Sequence, residues 1–341
     1  MNNKTIAIVA YEKNPAVCSS LLMHVHMMLE AGYSILLLVK SDVPKSYFVD
    51  LDFPIEIYMN LNELPKLLKK YCVSKVWCTT PSYLLRLSRV TKLPIYLWKQ
   101  GDTAAESFMK HHNYIRKWII HLICFLAFRK AKGMIYVSET MKNYYENIYC
   151  IKKNSIIVPC LSEFSQTKIN VKRILNSFVY IGGLSVWQCF EETLQLYAKI
   201  RKTDSILHII TLDVVMARCK VLQVIGDEHN IEIYSVEDRS KIPSILNKFQ
   251  YGFLIRKKDV VNMVAAPIKF LEYISCGVNV IMTDAIPSYA KLVEENNIGT
   301  IVDLCATDIL INAYNDQAKK VYAEKFDHTY FVKEYNKLLS M

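Results

Sequence analysis

Tyr251-Gly-Phe-Leu-Ile-Arg256, Lys257-Lys-Asp-Val-Val-Asn-Met-Val-Ala-Ala266, Pro267-Ile-Lys-Phe-Leu-Glu-Tyr-Ile-Ser-Cys-Gly277 and Val278-Asn-Val-Ile-Met-Thr-Asp284 follow one another without a break. The first and last pieces are short apolar runs of strand character. The third is helical, with Pro267 at its start and Gly277 just past its end. The stretch therefore predicts strand, loop, short helix and strand, the unit from which parallel sheets are built. Ligands in open α/β sheets bind beyond the carboxyl ends of the strands, which is where Arg256 and its loop fall. Lys269 and Glu272, three residues apart, share one face of the helix. A phosphate at this helix start would meet free N–H groups and partial positive charge. Lys269 adds an ammonium, and Glu272 adds an acceptor-only carboxylate suited to the adjacent hydroxyls of a ribose. The plain alternative is an i,i+3 ion pair on an ordinary helix.

Outward from this unit, β-branched and aromatic runs alternate with longer helical patterns. Strands are predicted at 6–10, 34–39, 55–59, 75–79, 94–98, 133–137 and 156–159, then at 177–181, 206–211, 232–235, 251–255, 279–283 and 300–302. Helices in the second series are predicted at 188–202, 214–225, 241–248, 267–275 and 287–296, and a last amphipathic helix at 329–339. Ser138 reads as the N-cap of a helix running to about Tyr149. Periodicity dissolves between Ser162 and Lys172, a polar linker. The expected organisation is an N-terminal Rossmann-like domain over 1–165, a second over 166–326, and a terminal segment over 327–341.

With 341 residues, 52% of them hydrophobic, the chain can bury two cores without disulfides or metals. Its ten cysteines are scattered with no C-x-x-C spacing, and read as reduced thiols of a reducing, cytoplasmic compartment. The run Thr5–Ala10 is read as a first buried strand and not a leader. Trp118 to Phe128, the longest apolar stretch, is far short of the roughly 20 residues a spanning helix needs. A net charge of +10 points to an anionic partner: a nucleotide, a phosphorylated acceptor or an anionic membrane surface. No nucleic-acid motif accompanies the dispersed basic residues, so nucleic acid is set aside. The 114–128 helix, bounded by Arg116-Lys117 and Arg129-Lys130, suits a membrane surface or a buried position between domains.

Among nine glycines nothing matches G-x-G-x-x-G or G-x-x-x-x-G-K-[ST], which excludes the usual dinucleotide and P-loop sites. Asp50-Leu-Asp52 has the spacing of a metal-binding pair but sits in a first-domain connection, and no metal is expected. His24 and His26, two apart on a helix, point to different faces and make no ligand pair. Thr103-Ala-Ala-Glu106 reads as a capping box. The loop Tyr11–Ser20 is expected to face a cleft and touch acceptor or donor sugar.

Arg256, Asn262, Ala266-Pro267-Ile-Lys269 and Glu272-Tyr-Ile-Ser-Cys-Gly277 resemble the donor-site segment of retaining glycosyltransferases with the GT-B fold, of the group 1 family that builds bacterial capsules and lipopolysaccharide. The resemblance implies two Rossmann-like parallel-sheet domains facing across a cleft, an N-terminal acceptor domain, a C-terminal nucleotide-sugar domain, and a final helix that crosses back to the first. It assigns Glu272 to the donor ribose and Lys269 and Arg256 to the diphosphate. It adds Pro267 and Asn262 to the donor-binding set, together with Gly182 and Gly183 of the turn in Val179-Tyr-Ile-Gly-Gly-Leu184. Gly101-Asp102 with Glu106 resembles a mid-domain loop of polysaccharide enzymes, which makes Asp102 a catalytic candidate beside Lys269 and Arg256. Val137-Ser-Glu-Thr-Met141 resembles the late strand-to-helix junction of the first domain. The chain departs from the family where Val264 replaces a second glutamate, and where Gly183 and Gln188 replace an arginine and a lysine. Either Arg256, Lys269 and Lys257 substitute for the lost contacts or activity is reduced.

The function implied is metal-independent transfer of a sugar, hexosyl in kind, from a nucleotide-diphosphate donor to a glycan or lipid-linked acceptor. It would proceed with retention and without a cofactor, in surface polysaccharide synthesis at the inner face of the membrane. Two rivals share the fold: a nucleotide-sugar epimerase and a non-catalytic GT-B partner subunit.

Overall fold

The structure, a computed structural model, describes residues 4–13, 15–48, 51–161 and 172–340. The expected linker at 162–172 lies outside them except for Lys172, as does Asp50. The chain divides into two compact units, Met1–Glu163 together with Asp327–Met341, and Phe164–Phe326.

The first unit carries strands β1 (Thr5–Ala10), β2 (Ser34–Lys40), β3 (Ile55–Tyr58), β4 (Lys75–Cys78), β5 (Ile95–Lys99), β6 (Gly133–Tyr136) and β7 (Ser155–Ile157). They form one seven-stranded sheet in the order β3-β2-β1-β4-β5-β6-β7, every pair parallel. Its helices are α1 (Pro15–Glu30), α2 (Leu64–Lys70), α3 (Pro81–Val90), α4 (Thr103–His111), α5 (Tyr114–Lys130) and α6 (Glu139–Tyr149). Ile6 to Val9 and Leu36 to Leu38 are fully buried, as expected of strands covered on both faces.

The second unit holds β8 (Ser177–Ile181), β9 (Ile206–Ile210), β10 (Ile231–Tyr234), β11 (Tyr251–Leu254), β12 (Asn279–Met282) and β13 (Gly299–Ile301). Their order is β10-β9-β8-β11-β12-β13, again all parallel. Its helices are α7 (Phe190–Ile200), α8 (Val214–Val224), α9 (Ile242–Leu246), α10 (Val260–Val264), α11 (Ile268–Ser275), α12 (Pro287–Asn296) and α13 (Gln317–Lys325). Phe178, Tyr197, Leu207, Ile209, Phe253 and Ile281 centre its core. Every strand lies within two residues of its predicted bounds. The short α10 and the polar α13, whose patterns give weak periodicity, went unpredicted.

The last helix, α14 (His328–Ser340), belongs to the first unit. It buries Phe331, Tyr335, Leu338 and Leu339. The Tyr335 hydroxyl meets Nδ1 of the buried His24 on α1 at 2.5 Å. That contact, beside the rings of Trp77 and Trp98, gives His24 a core role.

One local expectation is corrected. The N-cap of α4 is Asp102, whose Oδ1 accepts from Ala104 N at 2.9 Å and Ala105 N at 3.0 Å. Thr103 is already helical, so the N3 position is Ala105 and Glu106 stands one residue too late to close a capping box with Asp102. The charged cap takes the position because a carboxylate satisfies two free N–H groups at once. At α6 the predicted cap is present: Ser138 Oγ accepts from Met141 N at 3.1 Å.

Candidate functional site at the parting of β8 and β11

The second sheet reverses its strand order between β8 and β11, the place where doubly wound sheets open a crevice at their carboxyl ends. These strands pair only through Tyr251 with Phe178 and Gly252 with Val179. Past that point the Tyr273 hydroxyl takes over: it accepts from Ile181 N at 3.1 Å and donates toward Phe253 O at 3.3 Å. The phenol of α11 thus fills the fork between the strands and satisfies backbone groups that the separation frees. Gly252 makes room for it, since a Cβ there would lie 2.8 Å from the Tyr273 ring.

Beyond the fork stand Gly182-Gly183 on one side and Ile255-Arg256 on the other. Thr283, just after β12, holds the Arg256 backbone at both polar groups, accepting from its N at 3.1 Å and donating to its O at 2.6 Å. The buried Arg256 guanidinium donates to Gln188 O at 3.1 Å and to Ile255 O at 2.7 Å. Burial lowers its pKa.

Lys269 is buried on the first turn of α11. Its ammonium donates to Gln188 Oε1 and sits 4.6 Å from the centre of the Tyr180 ring. Burial, and then the positive charge of Arg256, push its pKa well below the usual lysine range, with Glu272 opposing. Tyr180 donates to Gly183 O at 2.6 Å and so ties the glycine turn to the same cluster. Pro267 is the N-cap residue of α11, and no side chain caps this helix end.

Glu272 is 1% exposed. Its Oε1 accepts from Nη2 of Arg239, a residue that sequence reasoning missed. Burial raises the Glu272 pKa, while Arg239 and then Lys269 act to lower it. The i,i+3 alternative is not what forms: Lys269 is bonded to Gln188 and Glu272 to Arg239. Two arginines, a lysine and one carboxylate therefore gather about α11, and an anion arriving there would favour the charged form of Lys269 that burial opposes.

Among the other expected residues, Asn262 is spent on its own loop, donating to Lys257 O at 3.0 Å and Asp259 Oδ2 at 2.8 Å. Lys257 pairs with Glu192. Val264 is buried at the end of α10. Asp102 lies in the first unit as a buried helix cap. Among the described residues, no group of three His, Cys, Asp or Glu is placed to hold a metal.

The first sheet reverses its order between β1 and β4. There Tyr11 follows β1 and bonds with Thr79 and Thr80 after β4. Its ring stacks on Tyr83 at 3.9 Å. A cavity of about 440 Å³ opens beside this stack, lined by Lys40, Tyr58, Asn60 and Arg86 among others. The expected loop over 11–20 is corrected, because α1 begins at Pro15 and leaves only 11–13 as loop among the described residues; Lys40, Tyr83 and Arg86 reach the cavity from elements remote in the chain.

No family model and no curated protein matches the chain. Solved structures do match. HepE of Anabaena, in complex with UDP and glucose, superposes with a TM-score of 0.70 at 11% identity, covering 99% of each chain. AviGT4, a glycosyltransferase involved in avilamycin A biosynthesis, gives 0.64 at 11% identity and 98% of each chain. The lipopolysaccharide outer core galactosyltransferase WaaB gives 0.61 at 13% identity, over 98% of this chain and 90% of that one. At such identities the likeness is one of fold, and the chain is built on the GT-B fold that these glycosyltransferases share.

Proposed function

We propose that the chain is a glycosyltransferase that takes its sugar from a nucleotide-diphosphate donor bound at the fork of the second sheet. One observation carries the reading: Lys269, Arg256 and Glu272 meet around the start of α11, where the strand order reverses. Solved neighbours with UDP or UDP-glucose bound support the donor class. In the reaction the bond from the anomeric carbon to the diphosphate breaks and a bond to an acceptor hydroxyl forms. The nucleoside diphosphate departs with the electron pair, and its phosphate takes the hydroxyl proton. The developing negative charge falls where Lys269, Arg256 and the uncapped start of α11 supply positive charge, about 3 kcal/mol for a preorganised donor. An arriving diphosphate also favours the charged form of Lys269, which burial by itself disfavours. Glu272, held by Arg239, keeps lone pairs for the ribose hydroxyls. Retention of configuration, hexosyl transfer to a glycan or lipid-linked acceptor, and a place in capsule or lipopolysaccharide synthesis complete the reading.

The cation contacts favour a second reading as well. Arg256 is spent on main-chain carbonyls and Lys269 on Gln188, as a non-catalytic partner subunit would tolerate. A panel of nucleoside diphosphates in thermal shift, followed by donor screening, separates the readings. We expect one nucleotide to raise the Tm, Glu272→Ala to abolish the rise, and the matching sugar nucleotide to be transferred or hydrolysed. Free epimerisation of the donor would point to the epimerase, and nucleotide binding with no turnover to the partner subunit. No Tm rise with any nucleotide would remove the donor site itself.

A further inference from the structure

Helix α5 presents an apolar face that the fold leaves uncovered. At about 100° per residue, Tyr114, Ile115, Trp118, Ile119, Leu122 and Leu126 fall in one arc of about 140° that runs about 18 Å along the axis. Each is at least 41% exposed, and Tyr114 and Ile115 reach 74%. The opposite side buries Cys124, Ala127 and Phe128 against the first unit. A helix apolar on both sides belongs in a protein core or in lipid, and α5 meets a core on one side alone.

Charge indicates what covers the other side. From Ser107 to Ser138 the chain has no Asp or Glu, yet it carries Lys110, Arg116, Lys117, Arg129, Lys130 and Lys132. Among the described residues no salt bridge engages Arg116, Arg129 or Lys130. Arg116 and Lys130 run along one edge of the arc, and Arg129 closes its C-terminal end. Trp118 and Tyr114 combine an apolar ring with a polar tip, the pairing that settles at the headgroup layer. No helix among the described residues is long and apolar enough to cross a membrane, and α5 is anchored to the first unit by Cys124, Ala127 and Phe128 in its C-terminal half.

We propose that this face of α5 rests flat on an anionic lipid bilayer. Trp118 and the neighbouring aliphatic side chains enter the headgroup layer, and Arg116, Arg129 and Lys130 meet lipid phosphates. The assignment goes beyond the donor site and stands whether or not sugar transfer is confirmed.

The test is co-sedimentation of the full chain with vesicles of phosphatidylglycerol and phosphatidylcholine, against vesicles of phosphatidylcholine alone. We expect binding to the anionic vesicles, weakened by salt, with a blue shift of tryptophan emission from the exposed Trp118. Ile115→Glu with Ile119→Glu should cut the bound fraction at least about tenfold while leaving the Tm unchanged, because both positions are exposed. Arg116→Ala with Lys130→Ala should lose preference for the anionic vesicles. Equal binding by the wild type and the glutamate variant overturns the proposal. So does a wild type that ignores vesicles but elutes as a dimer that the glutamate variant splits, since a second copy would then be the occupant.

Discussion

A Cβ built on Gly182 would lie 2.0 Å from Lys269 Nζ and 2.2 Å from its Cε, at a φ of +138° that L side chains rarely adopt. Gly182→Ala is therefore expected to expel Lys269 from its seat against Gln188 and Tyr180. The cost is on the order of 1–3 kcal/mol of stability, with loss of nucleotide-diphosphate binding. Gly183→Ala is the control, because its nearest neighbour would be Gln188 Nε2 at 3.6 Å, an ordinary contact. Its effect on stability should stay within about 0.5 kcal/mol. Thermal unfolding and calorimetric titration with UDP compare the two, and equal effects would refute the seat. Lys269, Arg256 and Glu272 were legible because each sits at a fixed offset from a strand end or helix start. Arg239 was not: its pairing with Glu272 spans 33 positions and depends on how the turn before α9 is carried past α11.

At the scale of elements, α14 is secured to α1 through His24 and Tyr335. Burial pushes His24 down to about 3, so the folded protein holds it neutral. The unfolded chain protonates it near 6.5. Between these values the unfolded state binds more protons, so this group's contribution is complete above about pH 6.5 and is lost as pH falls toward 3. The loss approaches about 1.4 kcal/mol per pH unit within that window. Urea unfolding at about pH 7, 5 and 4 should show this acid limb in the wild type and a flatter one in His24→Gln. A wild-type midpoint that does not move over this range would argue against a buried neutral imidazole. The pattern at 329–339 announced an amphipathic helix, but not which surface it covers. The positions of His24 and Tyr335 on their helices decide that, together with the approach of Leu338 to Gly133, where a Cβ would meet it at 3.0 Å.

For the whole molecule, the two proposed sites lie on different units and should leave separate footprints. Hydrogen exchange with UDP is expected to slow 182–188 and 256–276, and exchange with anionic vesicles to slow 114–126. A UDP footprint confined to the first unit would displace the donor site from α11. Local opening of the second unit should be least at β8 and β11, whose side chains Phe178, Tyr180 and Phe253 pack into its core.

Alternating apolar runs and helix signals determined the thirteen parallel strands and their two groups, because a strand buried on both faces must be apolar throughout and a crossover helix must carry one apolar stripe. The same signals placed a lysine and a carboxylate on one short helix. Only the tertiary structure decided what those groups touch. Hydrogen bonds and ion pairs reach a few ångströms in space with no regard for distance along the chain, so Gln188 came to Lys269, Arg239 to Glu272 and Tyr273 to the fork of the sheet. Exposure is decided in the same way. The apolar residues of 114–126 would suit a core as well as a surface, and only the packed fold shows that Tyr114, Ile115, Trp118, Ile119, Leu122 and Leu126 face outward.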